Sequence, residues 1–201
     1  FRLINEHCTG TPISIHNQES EEENKYYTYK KGGIRDLLHT LGVDDTHFTA
    51  TGTSSLRSYI KLFSKDRHLI LVHNTYTTKD DIEYAVGHSN NIYWCLCPNA
   101  NLYIENRLPD IDLLISENLN LCIGTDSLAS NHQLCILSEL YAIKEHYPHI
   151  GWDTLLTWGT YNGAVALQLD NATGSIETGK QPGIVQIIIP EQGKPSVKKV
   201  F

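Results

Sequence analysis

The 201-residue sequence lacks the long apolar segments and basic clusters that would indicate a membrane or a nucleic acid as partner. No stretch contains about 18 or more consecutive apolar residues, the length that a helix needs to cross a bilayer. Acidic residues outnumber basic ones, 23 against 16, which gives a formal net charge of −7 at pH 7. Because nucleic-acid phosphates are bound by clustered Lys and Arg, this balance argues against a nucleic-acid partner. We therefore expect a small-molecule ligand, no nucleic-acid partner and no membrane association.

Cysteine pairs with the spacing of a redox or zinc motif are also missing. The five cysteines, an odd number, include no Cys-x-x-Cys, and three of them lie in apolar runs typical of strands. This pattern is typical of reduced, buried thiols in a cytoplasmic protein. The first ten residues, FRLINEHCTG, carry charges and have no apolar core, so they do not resemble a secretion signal. Both features predict a cytoplasmic location.

Methionine is absent, although a chain of this length usually contains several. The sequence also begins at Phe1. We therefore expect that these residues are an excised segment or a processed product of a longer protein, unless modified residues are missing from the sequence. The length suffices for one full domain with a sizeable core and is too short for two large ones.

Strand and helix patterns alternate along the chain. Alternating or continuous apolar residues predict strands at 11–16, 68–74, 92–102, 121–127 and 183–189, and Pro98 is predicted to stop the third of them. Apolar residues at helical spacing, together with capping residues, predict helices at 20–31, 34–43, 53–62, 77–89, 108–118, 132–147 and 152–169. The helix at 77–89 is predicted to have Thr77 or Thr78 as its N-cap. Alternation of strand and helix predicts an α/β fold with a parallel sheet, because parallel strands need crossover connections.

Residues that could serve a metal site recur where the predicted strands end. His16 ends the first strand, His73 the second and Asp126 the fourth, and Glu19 follows His16 by three residues. The carboxyl ends of parallel strands meet at one edge, where eight-stranded (β/α) barrels place their active sites. Taken singly, a strand-end histidine is more often a structural residue, and Glu19 beside Glu21–Glu23 is also consistent with solvated charge at a helix start. The joint pattern favours a functional site.

Five motifs carry a resemblance to a known family: IHNQESEEE, LVHNTYT, CPNANLYI, CIGTDSLASN and TYNGAVALQLDNATGSIETGKQPGIVQI. In this order they resemble the second half of the amidohydrolase superfamily, in its deaminase and chlorohydrolase branch, which includes guanine, adenosylhomocysteine and aminofutalosine deaminases. The resemblance covers roughly residues 11–189. It implies the C-terminal half of a (β/α)8 TIM barrel, strands five to eight, at residues 1–170. It also implies that the tail, 171–201, contributes to a small β-sandwich domain.

The resemblance implies a metal-dependent hydrolase of non-peptide C–N bonds, which deaminates an aminated purine, pyrimidine or triazine-like ring with a metal-activated water. It implies that His16 and Asp126 are ligands of one divalent metal, zinc or alternatively iron, and that Asp126 also holds the attacking water. Glu19 would be the proton shuttle, and His73 would orient or polarise the reacting group. The residue types suit these roles, because imidazole and carboxylate ligands suit zinc and a carboxylate can protonate a leaving nitrogen.

Further candidates are less specific. The residues that could contact substrate are Asn74, Asn99, Arg107 and Ser130, and each is also explained by packing or capping. Asn101 stands where the family carries the Asn of a Pro-x-Ser-Asn turn, but Ala100 precedes it in place of Ser. A structural turn is therefore the simpler interpretation of Asn101.

The family also carries a His-x-His pair on the first barrel strand, whereas the ten histidines of this sequence form no such pair. We therefore expect two further histidine ligands upstream of residue 1, and the N-terminal half of the barrel as the missing partner of this chain. Alone, the chain is expected to bind metal weakly and to show no turnover. A homo-oligomer is a further state that the sequence leaves open.

Three alternatives stay open. The first is that the chain is a non-catalytic fragment or degenerate homologue with a structural or assembly role. The second is that its parent is a cyclic amidase of the same superfamily. Cyclic amidases often use a carbamylated lysine between two metals, and no Lys lies at a predicted strand end here. A serine-hydrolase site with Ser127 and His132 is disfavoured, because GTDSLAS is not a Gly-x-Ser-x-Gly elbow.

Overall fold

A computed structural model of the chain describes residues 1–191 and 193–199. In chain order its elements are α1 (Arg2–His7), β1 (Ile13–Asn17), α2 (Glu21–Tyr29), α3 (Gly33–Thr40), α4 (Ser55–Tyr59), a 3-10 turn (Ile60–Leu62), β2 (Leu69–His73), α5 (Lys79–Val86), β3 (Ile92–Leu96), α6 (Pro98–Glu105), α7 (Ile111–Ser116), β4 (Asn120–Ile123), α8 (Ile136–His146), α9 (Trp152–Gly159), α10 (Tyr161–Ala166), β5 (Val185–Ile188) and β6 (Ser196–Lys199). The chain divides into two compact units, Phe1–Ile92 with Pro109–Asn118, and Tyr93–Leu108 with the chain from Leu119 onward.

The first unit is built on the parallel pair β1 and β2. Ile13 lies opposite Leu69, and Asn17 lies opposite His73. All five residues of β2 are buried, as expected for a parallel strand that is covered on both faces. The largest fully buried apolar side chains of this unit are Leu56, Ile60, Leu69, Leu71, Ile82, Ile111 and Leu114. Each such side chain contributes about 1.5–3 kcal/mol through removal from water.

A capping box begins α5 directly after the loop that follows β2. The Thr78 hydroxyl accepts a hydrogen bond from the backbone N–H of Asp81, and the Asp81 carboxylate accepts one from the backbone N–H of Thr78. A threonine followed three residues later by an acidic residue favours this reciprocal arrangement. The predicted start of this helix at Thr77 or Thr78 is thus confirmed at Thr78.

The second unit contains the parallel pair β3 and β4, in which Cys95 lies opposite Cys122. α8, α9 and α10 pack against β4, and Leu121, Cys122 and Ile123 are all buried. Near the end of the described residues, β5 and β6 form an antiparallel pair with Ile188 opposite Ser196.

Several predicted boundaries are wrong, and each has a local reason. The strand predicted at 92–102 ends at Leu96, and Pro98 is the first residue of α6. Proline is favoured at the first helical position because it needs no N–H partner there. Asn101, predicted to lie in a turn, is therefore a buried residue of α6. Asp126 lies three residues beyond the end of β4 rather than in a strand, since β4 ends at Ile123.

Both faces of β4 are buried, since Leu121, Cys122 and Ile123 are all covered. Neither α1 nor β6 is predicted from the sequence, and α9 and α10 are predicted as one helix.

The predicted α/β class is confirmed, because helices alternate with strands and both of these strand pairs are parallel. Among the described residues, no helix combines the length and apolar character that crossing a bilayer requires. The domain boundary between 170 and 171 stays a prediction.

Candidate active site

His16 and His73 lie together at the carboxyl end of the β1–β2 pair. Parallel pairing places Asn17 opposite His73, one residue beyond His16. The two imidazole rings are 4.7 Å apart between centroids and nearly perpendicular, at 82°. The His73 side chain is completely buried, whereas 60% of the His16 side chain is exposed. One histidine is thus fixed in the core, and the other faces solvent beside it.

Glu19 joins the two histidines from the turn between β1 and α2. Its Oε1 atom lies 3.5 Å from Nε2 of His73, and its Oε2 atom lies 3.9 Å from Nδ1 of His16. The Glu19 side chain is one-quarter exposed. A carboxylate in this position can exchange protons with solvent and with a group bound beside the histidines.

The three side chains fit a divalent metal in their chemistry and their spacing. Their ligand atoms all lie within 4.8 Å of one another. Two atoms that share a zinc ion at bond lengths of about 2.0–2.2 Å lie at most about 4.4 Å apart. Two of the separations, 3.5 and 3.9 Å, already fall inside that limit. In the part of the chain that the structure describes, His16, Glu19 and His73 are the one group of three or more His, Cys, Asp and Glu side chains with such a geometry.

The backbone is left-handed at both turns that carry this cluster. Gln18 has a φ of 47°, His73 of 78° and Asn74 of 59°. Such conformations are uncommon for residues other than glycine, and they cluster at functional sites where the surrounding structure enforces them. The strain therefore lies in the residues that orient His73 and Glu19.

A buried polar network supports the two turns. The Asn17 amide donates to Oδ1 of Asn74 at 2.9 Å, and the Tyr59 hydroxyl donates to Oδ1 of Asn17 at 2.6 Å. The Asn74 amide donates to the carbonyl of Leu71 at 2.8 Å. Burial raises the pKa of Tyr59 well above its usual value, so the hydroxyl stays a donor. These contacts give Asn74 a structural role, and its contact with substrate stays a prediction.

Asp126 lies in the second unit, in the loop after β4, with a φ of 54°. The Ser130 hydroxyl donates a hydrogen bond to its carboxylate. The Asn131 amide donates to the carbonyl of Thr125 at 2.8 Å, one residue before Asp126. Ser130 and Asn131 are both buried. The loop is thus fixed on both sides of the predicted metal ligand.

Glu139 anchors the same loop from α8. Its carboxylate accepts hydrogen bonds from the Asn131 amide at 2.7 Å, and from the backbone N–H and the side-chain amide of Asn99 at 2.8 and 2.9 Å. Burial raises the pKa of Glu139, although the Asn bonds oppose that shift. The Asn99 amide is thus committed to Glu139. Arg107 is exposed between α6 and α7, and substrate contact by Asn99, Arg107 or Ser130 stays a prediction.

A comparison with known protein families identifies the family of this chain. The model of the amidohydrolase family matches residues 4–201. This chain belongs to the amidohydrolase family. The family predicted from the five motifs is therefore confirmed.

Several relatives of this amidohydrolase chain are deaminases. It is 30% identical, over 124 residues, to the 5-methylthioadenosine/S-adenosylhomocysteine deaminase of Saccharophagus degradans, an alignment that covers 58% of this chain and 27% of that protein. It resembles the crystal structure of Helicobacter pylori aminofutalosine deaminase in complex with methylthio-coformycin, at 26% identity and a TM-score of 0.75. That match covers 90% of this chain and 44% of the other.

A further solved structure of similar fold contains zinc. It is an adenosine deaminase from Xanthomonas campestris with bound zinc, which is 27% identical to this chain and has a TM-score of 0.65. The match covers 87% of this chain and 36% of that one. The amidohydrolase chain thus spans less than half the length of the curated relatives that it matches.

Sequence reasoning misses several residues that support the candidate site. No sequence signal gives a supporting role to Asn17, Tyr59 or Glu139, because their partners come from distant parts of the chain. Glu23, whose carboxylate accepts hydrogen bonds from the backbone N–H groups of Gln18 and Glu19, has a signal in the capping-box spacing of Ser20 and Glu23. Its place in a run of glutamates nevertheless favours the simpler interpretation as solvated charge.

Proposed function

We propose that this chain forms part of the active site of a metal-dependent deaminase, which hydrolyses the C–N bond of an amino-substituted heterocycle. The observation that carries the proposal is the position of Glu19, whose two carboxylate oxygens lie 3.5 Å from His73 and 3.9 Å from His16. A carboxylate beside two imidazoles combines groups that bind a metal with a group that moves protons. Deamination by water needs both, because water must be activated and the amino group must leave protonated.

The roles that we propose for the site residues follow the resemblance to the family. His16 and Asp126 would hold one divalent metal, with zinc favoured by the imidazole and carboxylate donors and iron as the alternative. Glu19 and His73, whose ligand atoms lie within 4.8 Å of that of His16, would act beside the ion rather than bind it. When bound, the metal supplies a nucleophile from water at neutral pH, since it lowers the pKa of water from about 16 to about 7. Glu19 takes the proton of the attacking water and delivers it to the substrate nitrogen.

His73 and Asp126 would orient the reacting groups. The ring of His73 is buried and lies beside the Glu19 carboxylate, a fixed position from which it would orient or polarise the reacting group. Asp126, fixed by Ser130, accepts a hydrogen bond from the attacking water. Holding reacting groups in a fixed geometry removes an entropic part of the barrier.

The substrate class that we propose is an aminated purine carried by a nucleoside-like molecule. The relatives named above act on adenosine derivatives, and the H. pylori structure contains a coformycin. Aminated pyrimidines and triazine-like rings are further members of the same chemical class. A small-molecule partner of this kind suits the net charge of −7, which disfavours nucleic acid.

We further propose that the chain corresponds to strands five to eight of a (β/α)8 barrel, with 171–201 contributing to a small β-sandwich domain. The coverage of about 44% of the H. pylori enzyme supports this assignment. The missing barrel half and two more histidine ligands would then come from upstream sequence. For the whole protein we propose a cytoplasmic location and a homo-oligomeric state.

Ammonia release by the full-length protein tests the proposal. The protein is loaded with zinc and supplied with a panel of aminated purines, pyrimidines and triazines, and ammonia is measured with a coupled enzyme. We expect turnover of at least one aminated purine. A folded, metal-loaded protein that releases no ammonia from any member of the panel would favour the non-catalytic alternative.

A further inference from the structure

Three consecutive glutamates begin α2, and only one of them turns back toward the candidate site. Glu21 and Glu22 both pair with Lys25, at 3.0 and 2.8 Å. Glu22 also accepts a hydrogen bond from the backbone N–H of Gly33. These two side chains thus form ion pairs on the surface of α2, and Glu22 also links α2 to the start of α3.

Glu23 instead binds the turn that carries Glu19. Its Oε1 atom accepts a hydrogen bond from the backbone N–H of Gln18 at 2.9 Å. Its Oε2 atom accepts one from the backbone N–H of Glu19 at 3.1 Å. In an ordinary capping box, this side chain would accept the backbone N–H of the N-cap residue, Ser20. Here the Glu23 carboxylate instead accepts from the backbone N–H groups of the two residues before the N-cap.

The two hydrogen bonds act on a backbone that needs support. Gln18 has a left-handed φ of 47°, a conformation that is unfavourable for a residue with a side chain. The side-chain amide of Gln18 also donates hydrogen bonds to Oδ1 of Asn24 at 3.1 Å and to Oδ2 of Asp81 at 3.0 Å. The backbone of Glu19 is thus fixed, while its own side chain is left to face His16 and His73.

We propose that Glu23 is a positioning residue, which acts through Glu19 by fixing the turn from which the proposed proton shuttle projects. The proposal rests on the proposed function for its effect on turnover. The hydrogen bonds themselves do not depend on that function. A shift of about 1 Å at a reacting group can reduce a rate about 100-fold, so a contact that fixes the turn has a measurable kinetic effect.

The test compares Glu23→Gln with Glu21→Gln in the full-length protein. A glutamine at 23 keeps the size of the side chain, but its NH2 group would face one of the two backbone N–H donors. We expect kcat to fall about 10- to 100-fold with KM and zinc content nearly unchanged. Glu21→Gln removes the same charge from the same helix without touching the contact, and it should stay within about twofold of wild type.

Two further measurements separate positioning from general stability. In a Glu19→Gln background, Glu23→Gln should cause no additional loss of turnover, because its effect passes through Glu19. Amide hydrogen exchange, followed residue by residue, should be faster at Gln18 and Glu19 in Glu23→Gln and unchanged in Glu21→Gln. A general loss of folded protein would instead lower turnover by the same factor in both backgrounds.

The outcomes are distinguishable. Unchanged exchange at Gln18 and Glu19 in Glu23→Gln overturns the proposal, whatever the reaction proves to be. Faster exchange with wild-type turnover also overturns it, because the turn would then be loosened without consequence. If exchange is faster but the wild-type protein deaminates nothing, the contact stands and the proposed function fails.

Discussion

Glu19 and His73 are 54 residues apart in sequence, and the Oε1 atom of Glu19 lies 3.5 Å from Nε2 of His73. The parallel register that pairs Asn17 with His73 produces this approach, because it brings the turn after β1 beside the end of β2. The strand register thus brings a carboxylate and an imidazole, two groups that can take part in proton transfer, together from distant parts of the sequence.

The first prediction concerns the Glu19 carboxylate. Glu19→Gln keeps the side-chain volume and leaves both histidines in place, but an amide cannot accept and release a proton at neutral pH. We expect the full-length protein to retain its metal and to lose turnover by about 10²–10⁴-fold. Metal analysis and an ammonia assay of the same preparation check this. Activity close to that of wild type would rule out the proton-shuttle role.

The cluster itself was accessible from the sequence. His16, Glu19 and His73 are predicted to share an edge because parallel strands bring their carboxyl ends together, and this follows from the order of strands and helices alone. The helix start at Thr78 also follows from local spacing, since the Thr-x-x-Asp pattern needs no tertiary information.

Other features depend on contacts between distant residues. The sequence predicts that Pro98 ends a strand, although the same residue equally favours the start of a helix, and only the packing of α6 decides between them. The bond from Tyr59 to Asn17 joins residues 42 positions apart. No periodicity specifies such a pair. The hydrogen bonds that support the site were therefore harder to predict than the site residues themselves.

A second prediction concerns Asn74, whose side chain bonds to Asn17 and to the Leu71 carbonyl in the core. Asn74→Ala removes these bonds and leaves a left-handed alanine, so we expect a loss of about 3 kcal/mol in the free energy of unfolding. Asn118→Ala is the control, because Asn118 is exposed and has a similar φ of 52°. It should cost only about 1 kcal/mol of backbone strain. Urea unfolding compares the two, and equal losses would assign no energy to the buried bonds.

A third prediction concerns Asp81, which joins α5 to the turn before Glu19. Its carboxylate accepts hydrogen bonds from the Gln18 amide, the Thr78 backbone and hydroxyl, and the Ser54 hydroxyl. Asp81→Ala leaves several of these donors without an acceptor, and we expect a loss of about 3 kcal/mol. The adjacent Asp80 is exposed, and Asp80→Ala should change stability by less than about 0.5 kcal/mol. Thermal unfolding of both variants measures the difference, and similar midpoints would contradict the prediction.

A fourth prediction concerns pH. Burial raises the pKa of Glu139 above its usual value of 4.5. The folded protein therefore binds this proton more tightly than the unfolded chain, and stability falls as the pH rises from 4.5 through the folded pKa. Glu139→Gln removes that titration, so its stability relative to wild type should increase over the same range of pH.

Urea unfolding at several pH values between about 4 and about 8 measures this difference. Glu145→Gln is the control, because Glu145 is exposed on the same helix, α8. Its stability should run parallel to that of wild type. Parallel curves for Glu139→Gln would show that burial does not favour the protonated carboxyl.

The last prediction concerns Gly124, which follows β4 and lies two residues before Asp126. A Cβ atom at this position would lie 3.0 Å from Sγ of Cys95 and 3.2 Å from Sγ of Cys97, and both thiols are buried. Overpacking of this kind costs about 1–3 kcal/mol, so Gly124→Ala should destabilise the protein. Gly151→Ala is the matched control, because no atom lies within 4 Å of its Cβ position and its φ is −68°. It should change stability by less than about 1 kcal/mol, because the reduced entropy of the unfolded chain is opposed by the poorer N-cap preference of alanine at the start of α9. The strain in Gly124→Ala would be relieved by a movement of the loop that carries Asp126, so the variant should also bind zinc more weakly in the full-length protein. Unchanged zinc affinity together with unchanged stability would show that the Cys95 and Cys97 side chains move instead of the loop.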